Sequence, residues 1–111
     1  MGIQVSKQEN VVVVAVSGNM DAQSAPQLDD RLSQLAGQGE QNHVIDLSAV
    51  PFMDSSGLAT LIKLFKHIRI GHGDVKLAGL RPEILEIFQL THLDHVFGIF
   101  DSQSEAVADF G

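Results

Sequence analysis

The chain has 111 residues, no cysteine and a formal net charge of −7, from seven basic against fourteen acidic residues. That length makes one domain of ordinary size, and an apolar fraction of 44% can build a core without help from a metal or crosslink. Missing cysteines exclude disulfides, thiol catalysis and thiolate zinc sites, while the acidic balance argues against direct binding to nucleic acid or anionic lipid. The longest apolar run, Val11 to Val16, is far too short to span a membrane, and Met1-Gly2-Ile3-Gln4 shows no leader pattern. A cytoplasmic protein with a protein partner is the default expectation.

Ile3 and Val5 alternate with polar residues, and Gln8-Glu9-Asn10 can turn the chain into the β-branched run Val11 to Val16. Together they predict a hairpin whose second strand is buried on both faces. After Ser17-Gly18-Asn19-Met20-Asp21 a helix is expected, with Ser24 as its cap, Pro26 in the first turn and Gln27 completing a capping box. Leu28, Leu32 and Leu35 mark its inner face, Asp29 and Asp30 sit early in it, and Gly37 and Gly39 stop it.

Val44-Ile45-Asp46-Leu47 reads as a buried strand that feeds the turn Asp54-Ser55-Ser56-Gly57, and a helix follows. There Leu58, Leu61, Ile62, Phe65 and Ile68 form the apolar stripe, and Leu64 falls off it toward solvent. Lys63, Lys66, His67 and Arg69 fill the later turns before Gly71-His72-Gly73-Asp74 ends the helix. Val75-Lys76-Leu77-Ala78 is the next strand, Pro82 opens a short helix with Ile84, Leu85 and Phe88, and Val96 to Phe100 makes a last strand. Ser102 and Glu105 open a terminal helix carrying Ala106, Val107 and Phe110. Strands alternating with helices imply right-handed crossovers, hence an α/β domain over residues 1–111: a small, mostly parallel mixed sheet flanked by about four helices.

The turn at Asp54-Ser55-Ser56-Gly57 holds the residues of interest. Past a strand and at a helix start, a hydroxyl is exposed, and outward backbone N–H groups can partly stabilise a phosphate placed on it. A phosphate would bring about −1.5 to −2 charges beside Asp54. The plain alternative is that Ser55 and Ser56 only cap the helix, stabilising it by about 1 kcal/mol each at most.

Three segments carry a family resemblance. Phe52-Met53-Asp54-Ser55-Ser56-Gly57-Leu58, led in by Val44-Ile45-Asp46-Leu47, resembles the signature of STAS-domain anti-sigma factor antagonists. Gly18-Asn19-Met20-Asp21 is similar to the family's upstream Gly-Glu-Leu/Ile-Asp motif, and Gly73-Asp74-Val75-Lys76-Leu77 to its later glycine–strand segment. The resemblance implies a STAS fold and a phosphorylatable binding module. In that scheme an anti-sigma factor that is also a serine kinase phosphorylates Ser55, the modified protein releases it, and a PP2C-type phosphatase restores the hydroxyl. Asn19, Asp21, Asp54, Ser56 and Gly57 would contribute to partner recognition, with Ser56 free to act as the cap. The protein would need no cofactor of its own. Asn19 in place of the usual glutamate makes the loop less acidic, and Ala59 stands where a second glycine is common. A related expectation keeps the fold without the switch, as an accessory or scaffold subunit of a lipid-transport complex or stress-signalling assembly.

Catalysis by the chain itself is not expected. Ser55 lacks the Gly-x-Ser-x-Gly elbow, and Asp21 and Asp54 come with no nucleophile–base–orienter set. The histidines are His43, His67, His72, His92 and His95; His92-Leu93-Asp94-His95 falls short of a zinc site, and solvated histidines, in loops except for His67, are the expectation.

Overall fold

In the computed structural model, which describes residues 1–111, Glu9 and Asn10 both take positive φ, 51° and 70°. Such a left-handed pair is what a two-residue hairpin turn requires. It joins β1 (Gly2–Gln8) to β2 (Val11–Ser17), paired antiparallel from Gly2 with Ser17 to Gln8 with Val11. Helix α1 (Ala25–Gly37), β3 (Asn42–Ala49), α2 (Ser55–Ile70), β4 (Asp74–Ala78), α3 (Pro82–Leu90), a 3₁₀ turn (Leu93–His95), β5 (Gly98–Phe100) and α4 (Gln103–Asp109) follow. The strands lie side by side in chain order, and every pairing after the hairpin is parallel.

Sequential parallel strands with crossovers of one hand must place their connecting helices on one face. The core shows this directly. Val12, Val14, Val16, Ile45, Leu47, Val75 and Leu77 point to the face covered by α1, α2 and α3. Phe97 closes the far end of that layer, its ring 4.9 Å from Phe65 and 5.8 Å from Phe88. Alternate residues Val11, Val13, Val44 and Ala78 point to the opposite face, beneath Ala106 and Val107 of α4. Lys76 lies under α4 too, its ammonium on the Asp109 carboxylate and 4.1 Å from the Phe110 ring centroid.

Four expectations need correction. Leu64 is buried, 4% exposed, because α2 is covered on two sides: the sheet meets one flank and α1 the other. His43 is not a loop residue; β3 begins at Asn42, so His43 points inward between Val12 and Val75 and is fully buried. Val96 ends the 3₁₀ turn, and β5 starts only at Gly98. Ser24 does not close a capping box: it stands before α1 in a helical conformation and its side chain makes no cap bond.

Burial pushes the His43 imidazole below its ordinary pKa, against the opposing pull of its hydrogen bond to the Glu40 carbonyl and of the Glu40 charge. Its Nε2 sits 3.1 Å from that carbonyl, while Nδ1 is buried without a partner. The neutral form with the proton on Nε2 satisfies this geometry; a charged ring would leave a second N–H unmet.

Candidate functional site

Beyond the C-terminal ends of β2 and β3 the two strands continue as loops, and those loops are laced together. Gly18 N–H donates to Ala49 O at 3.1 Å, Met20 N–H to Phe52 O at 2.9 Å, and Asp54 N–H to Met20 O at 3.1 Å. Met20 and Met53 form an isolated parallel bridge and both side chains are buried, so one apolar plug anchors the two loops. Gly57 completes the join. Any Cβ there would meet Met20 O at 2.5 Å, so only glycine lets the start of α2 press against the 18–21 segment. The structure thereby brings the upstream motif (Asn19, Asp21) and the downstream motif (Asp54, Ser55, Ser56, Gly57) onto one surface.

Each motif aspartate shapes the start of a helix. Asp54 holds an extended conformation, φ −112° and ψ −172°, and is the true cap of α2. Its Oδ1 accepts from Ser56 N–H at 2.8 Å and Gly57 N–H at 3.3 Å. Neither Ser55 nor Ser56 caps the helix, which corrects both the cap-only reading and the assignment of Ser56 as cap. Asp21 repeats the pattern before α1: its Oδ1 accepts from Gln23 N–H at 3.1 Å and Ser24 N–H at 3.0 Å. Ser24 Oγ is used inside the same turn, donating to Asn19 O at 2.7 Å. One oxygen of each carboxylate is therefore committed to backbone N–H groups.

The most exposed residues of this face are uncharged and stand beside the two half-buried carboxylates. Ser55 is the first residue of α2 and is exposed, as are Asn19, Pro51 and Phe52; Phe52 keeps 50% of its surface open although its backbone is pinned. Phe52 is a candidate that the sequence does not single out. Its signal was a large apolar side chain beside a turn of polar residues, which reads equally as core. Behind Ser56 a shallow groove runs between α1 and α2, bridged by Lys63 and Asp29 at 3.0 Å. His92 and His95 lie elsewhere, on the surface near the 3₁₀ turn, with ring centroids 6.1 Å apart.

The STAS domain model matches residues 2–106. The chain is 32% identical over 99 residues to the anti-sigma-B factor antagonist of Bacillus subtilis, covering 89% of this chain and 90% of that one. Among solved structures, an anti-sigma factor antagonist from Mycobacterium paratuberculosis superposes with a TM-score of 0.90 at 28% identity, over 97% of this chain and 92% of that one. The Bacillus cell fate determinant SpoIIAA in its phosphorylated form superposes with a TM-score of 0.79 at 20% identity, over 99% of this chain and 100% of that one, a likeness of fold. The sheet order, the joined loops and these matches agree: the chain belongs to the STAS-domain family of anti-sigma factor antagonists.

Proposed function

We propose that the protein works by partner switching, with Ser55 as the phosphoacceptor. Unmodified, it binds an anti-sigma factor that is also a serine kinase; phosphorylated, it lets go. The observation that carries this is the placement of Ser55, an exposed alcohol at the first position of α2 on a backbone held by the 18–20 loop. Among relatives, the Bacillus subtilis protein is designated an anti-sigma-B factor antagonist, and SpoIIAA is known in a phosphorylated form. In the transfer Ser55 Oγ bonds to the γ-phosphorus of ATP, the bond to the β-phosphate oxygen breaks, and ADP leaves. The hydroxyl proton passes to a base that the kinase supplies. A PP2C-type phosphatase reverses the modification by hydrolysis, releasing inorganic phosphate.

A face pinned by its backbone bonds, with uncharged residues around Ser55, suits such a switch. A partner surface matched to Asn19, Phe52 and a serine hydroxyl meets added bulk and about −1.5 to −2 charges once Ser55 is modified. Desolvating that charge without a partner costs several kcal/mol, enough to abolish binding. The test is to mix the protein with each anti-sigma factor kinase of its source organism and ATP, and to measure intact mass. Wild type should gain one phosphate and Ser55→Ala none. An unmodified wild type with every kinase, or equal modification of Ser55→Ala, sinks the reading.

A further inference from the structure

At its start α2 leaves three N–H groups outside its own ladder, those of Ser55, Ser56 and Gly57, because Leu58 N–H already bonds Asp54 O at 3.1 Å. Asp54 Oδ1 takes two of them, lying 2.8 Å from Ser56 N and 3.3 Å from Gly57 N. The inner side is closed as well, since Gly57 is buried against Met20. Asp54 is not free to swing aside at no cost. Its own N–H is bonded to Met20 O, which holds its backbone extended, and turning its carboxylate away would give up both bonds to the helix start. A phosphate on Ser55 would therefore find one N–H, that of its own residue, and a carboxylate where the rest of the helix N-terminus would be.

Resting on the Ser55 reading above, we propose that Asp54 is the positioning residue of the switch. By occupying the Ser56 and Gly57 N–H groups it denies them to the phosphate and leaves the dianion standing out on the face shared with Asn19 and Phe52. This reverses the sequence expectation that the backbone would partly hold the phosphate. Charge that a helix start would have absorbed stays directed at the partner. Asp54 thus serves as a built-in competitor, and its contribution to partner choice runs through geometry.

The two placements differ in the phosphate's own titration. A phosphate seated on free helix N–H groups is stabilised as the dianion and its second pKa falls below about 6; a neighbouring carboxylate pushes it the other way. Phosphoserine is installed at position 55 during translation, so no kinase is needed, and the phosphate is titrated by phosphorus NMR while amide spectra follow Ser56 and Gly57. In wild type the second pKa should lie at or above about 6, with both amide protons little moved by phosphorylation. Asp54→Asn, which keeps a capping oxygen but removes the charge, should lower that pKa by roughly half a unit. Asp54→Ala should lower it further, with both amide protons moving downfield as the phosphate takes them. A wild-type value clearly below 6 with both amide protons strongly displaced overturns the proposal, and so does an unchanged value in Asp54→Asn. Should Asp54→Ala fail to fold, the wild-type Ser56 and Gly57 amide shifts decide whether the phosphate is denied those groups, and Asp54→Asn reports the charge. A negative kinase assay leaves this titration intact, and a negative titration leaves Ser55 an acceptor.

Discussion

A methyl group at Gly57 would lie 2.5 Å from Met20 O, 2.7 Å from Met20 Cβ and 3.0 Å from Met20 C. Two of those atoms are backbone, so relief requires the 18–21 segment to lift away from α2. Lifting it opens Met20 N–H to Phe52 O and Asp54 N–H to Met20 O, each worth about 1 kcal/mol net. Crowding around the fully buried Met20 adds about 1–3 kcal/mol. Against this, alanine gains at most about 1 kcal/mol of helix propensity over glycine. Gly57→Ala should therefore lose roughly 2–4 kcal/mol, a fall in Tm of about 10 °C or more for a domain this size. Gly37→Ala is the matched control: no atom lies within 4 Å of its Cβ, so it should be neutral or up to about 1 kcal/mol more stable. Thermal and urea unfolding read both variants. A Gly57→Ala protein as stable as wild type, or equal damage from the two substitutions, would refute the account of how the loops are joined.

Phe52→Ala should change stability by no more than about 0.5 kcal/mol yet weaken binding to the anti-sigma factor by about 30-fold or more, as loss of an apolar anchor does; calorimetry showing unchanged affinity would remove Phe52 from the interface. For His43 the unfolded chain takes up its proton near 6.5 and the folded chain only at lower pH. The stability that its neutral ring contributes is complete above 6.5 and is lost as pH falls from there through the folded value. His43→Leu should flatten the pH dependence of unfolding in that window, and a curve parallel to wild type would disprove the assignment. Asp109→Ala should cost about 1–2 kcal/mol by stranding the Lys76 ammonium, less than a fully buried pair because the Asp109 side chain is 54% exposed. Lys76→Met should cost less than Asp109→Ala in the same melts, since it removes the charge together with its partner's role.

The parts of the fold that follow from local pattern were legible in the sequence. The Glu9-Asn10 turn, the buried run Val11 to Val16 and the helices led by Leu28 and Leu61 all declare their period within a few residues. Two of the misreadings, at Asp54 and Leu64, share a cause, namely decisions taken by contacts far along the chain. Asp54, Ser55 and Ser56 are all good capping residues, and what selects Asp54 is the hydrogen bond of its own N–H to Met20 O. Leu64 looked exposed while α2 was read as a helix lying on one surface; α1 supplies the second. For His43 the apolar pattern of the strand begins only at Val44, since a polar residue at a strand end gives no periodic signal of its own. The grouping of Asn19 and Asp21 with Ser55 came from resemblance between motifs; their separation in sequence offers no physical hint of it.

The lacing of the 18–20 loop to the 49–54 loop has a consequence for what a partner can read. The proposed recognition face is assembled from two stretches of chain that meet only when β2 and β3 lie side by side. A free peptide spanning Val50 to Leu58 carries the whole serine motif and would still lack Asn19, the Met20 support beneath Gly57 and the fixed posture of Phe52. Such a peptide should be a poor competitor and a poor kinase substrate. Under the proposed switch, recognition of Ser55 would double as an inspection of the fold, and a nascent or damaged copy of the chain would stay silent until its sheet had formed.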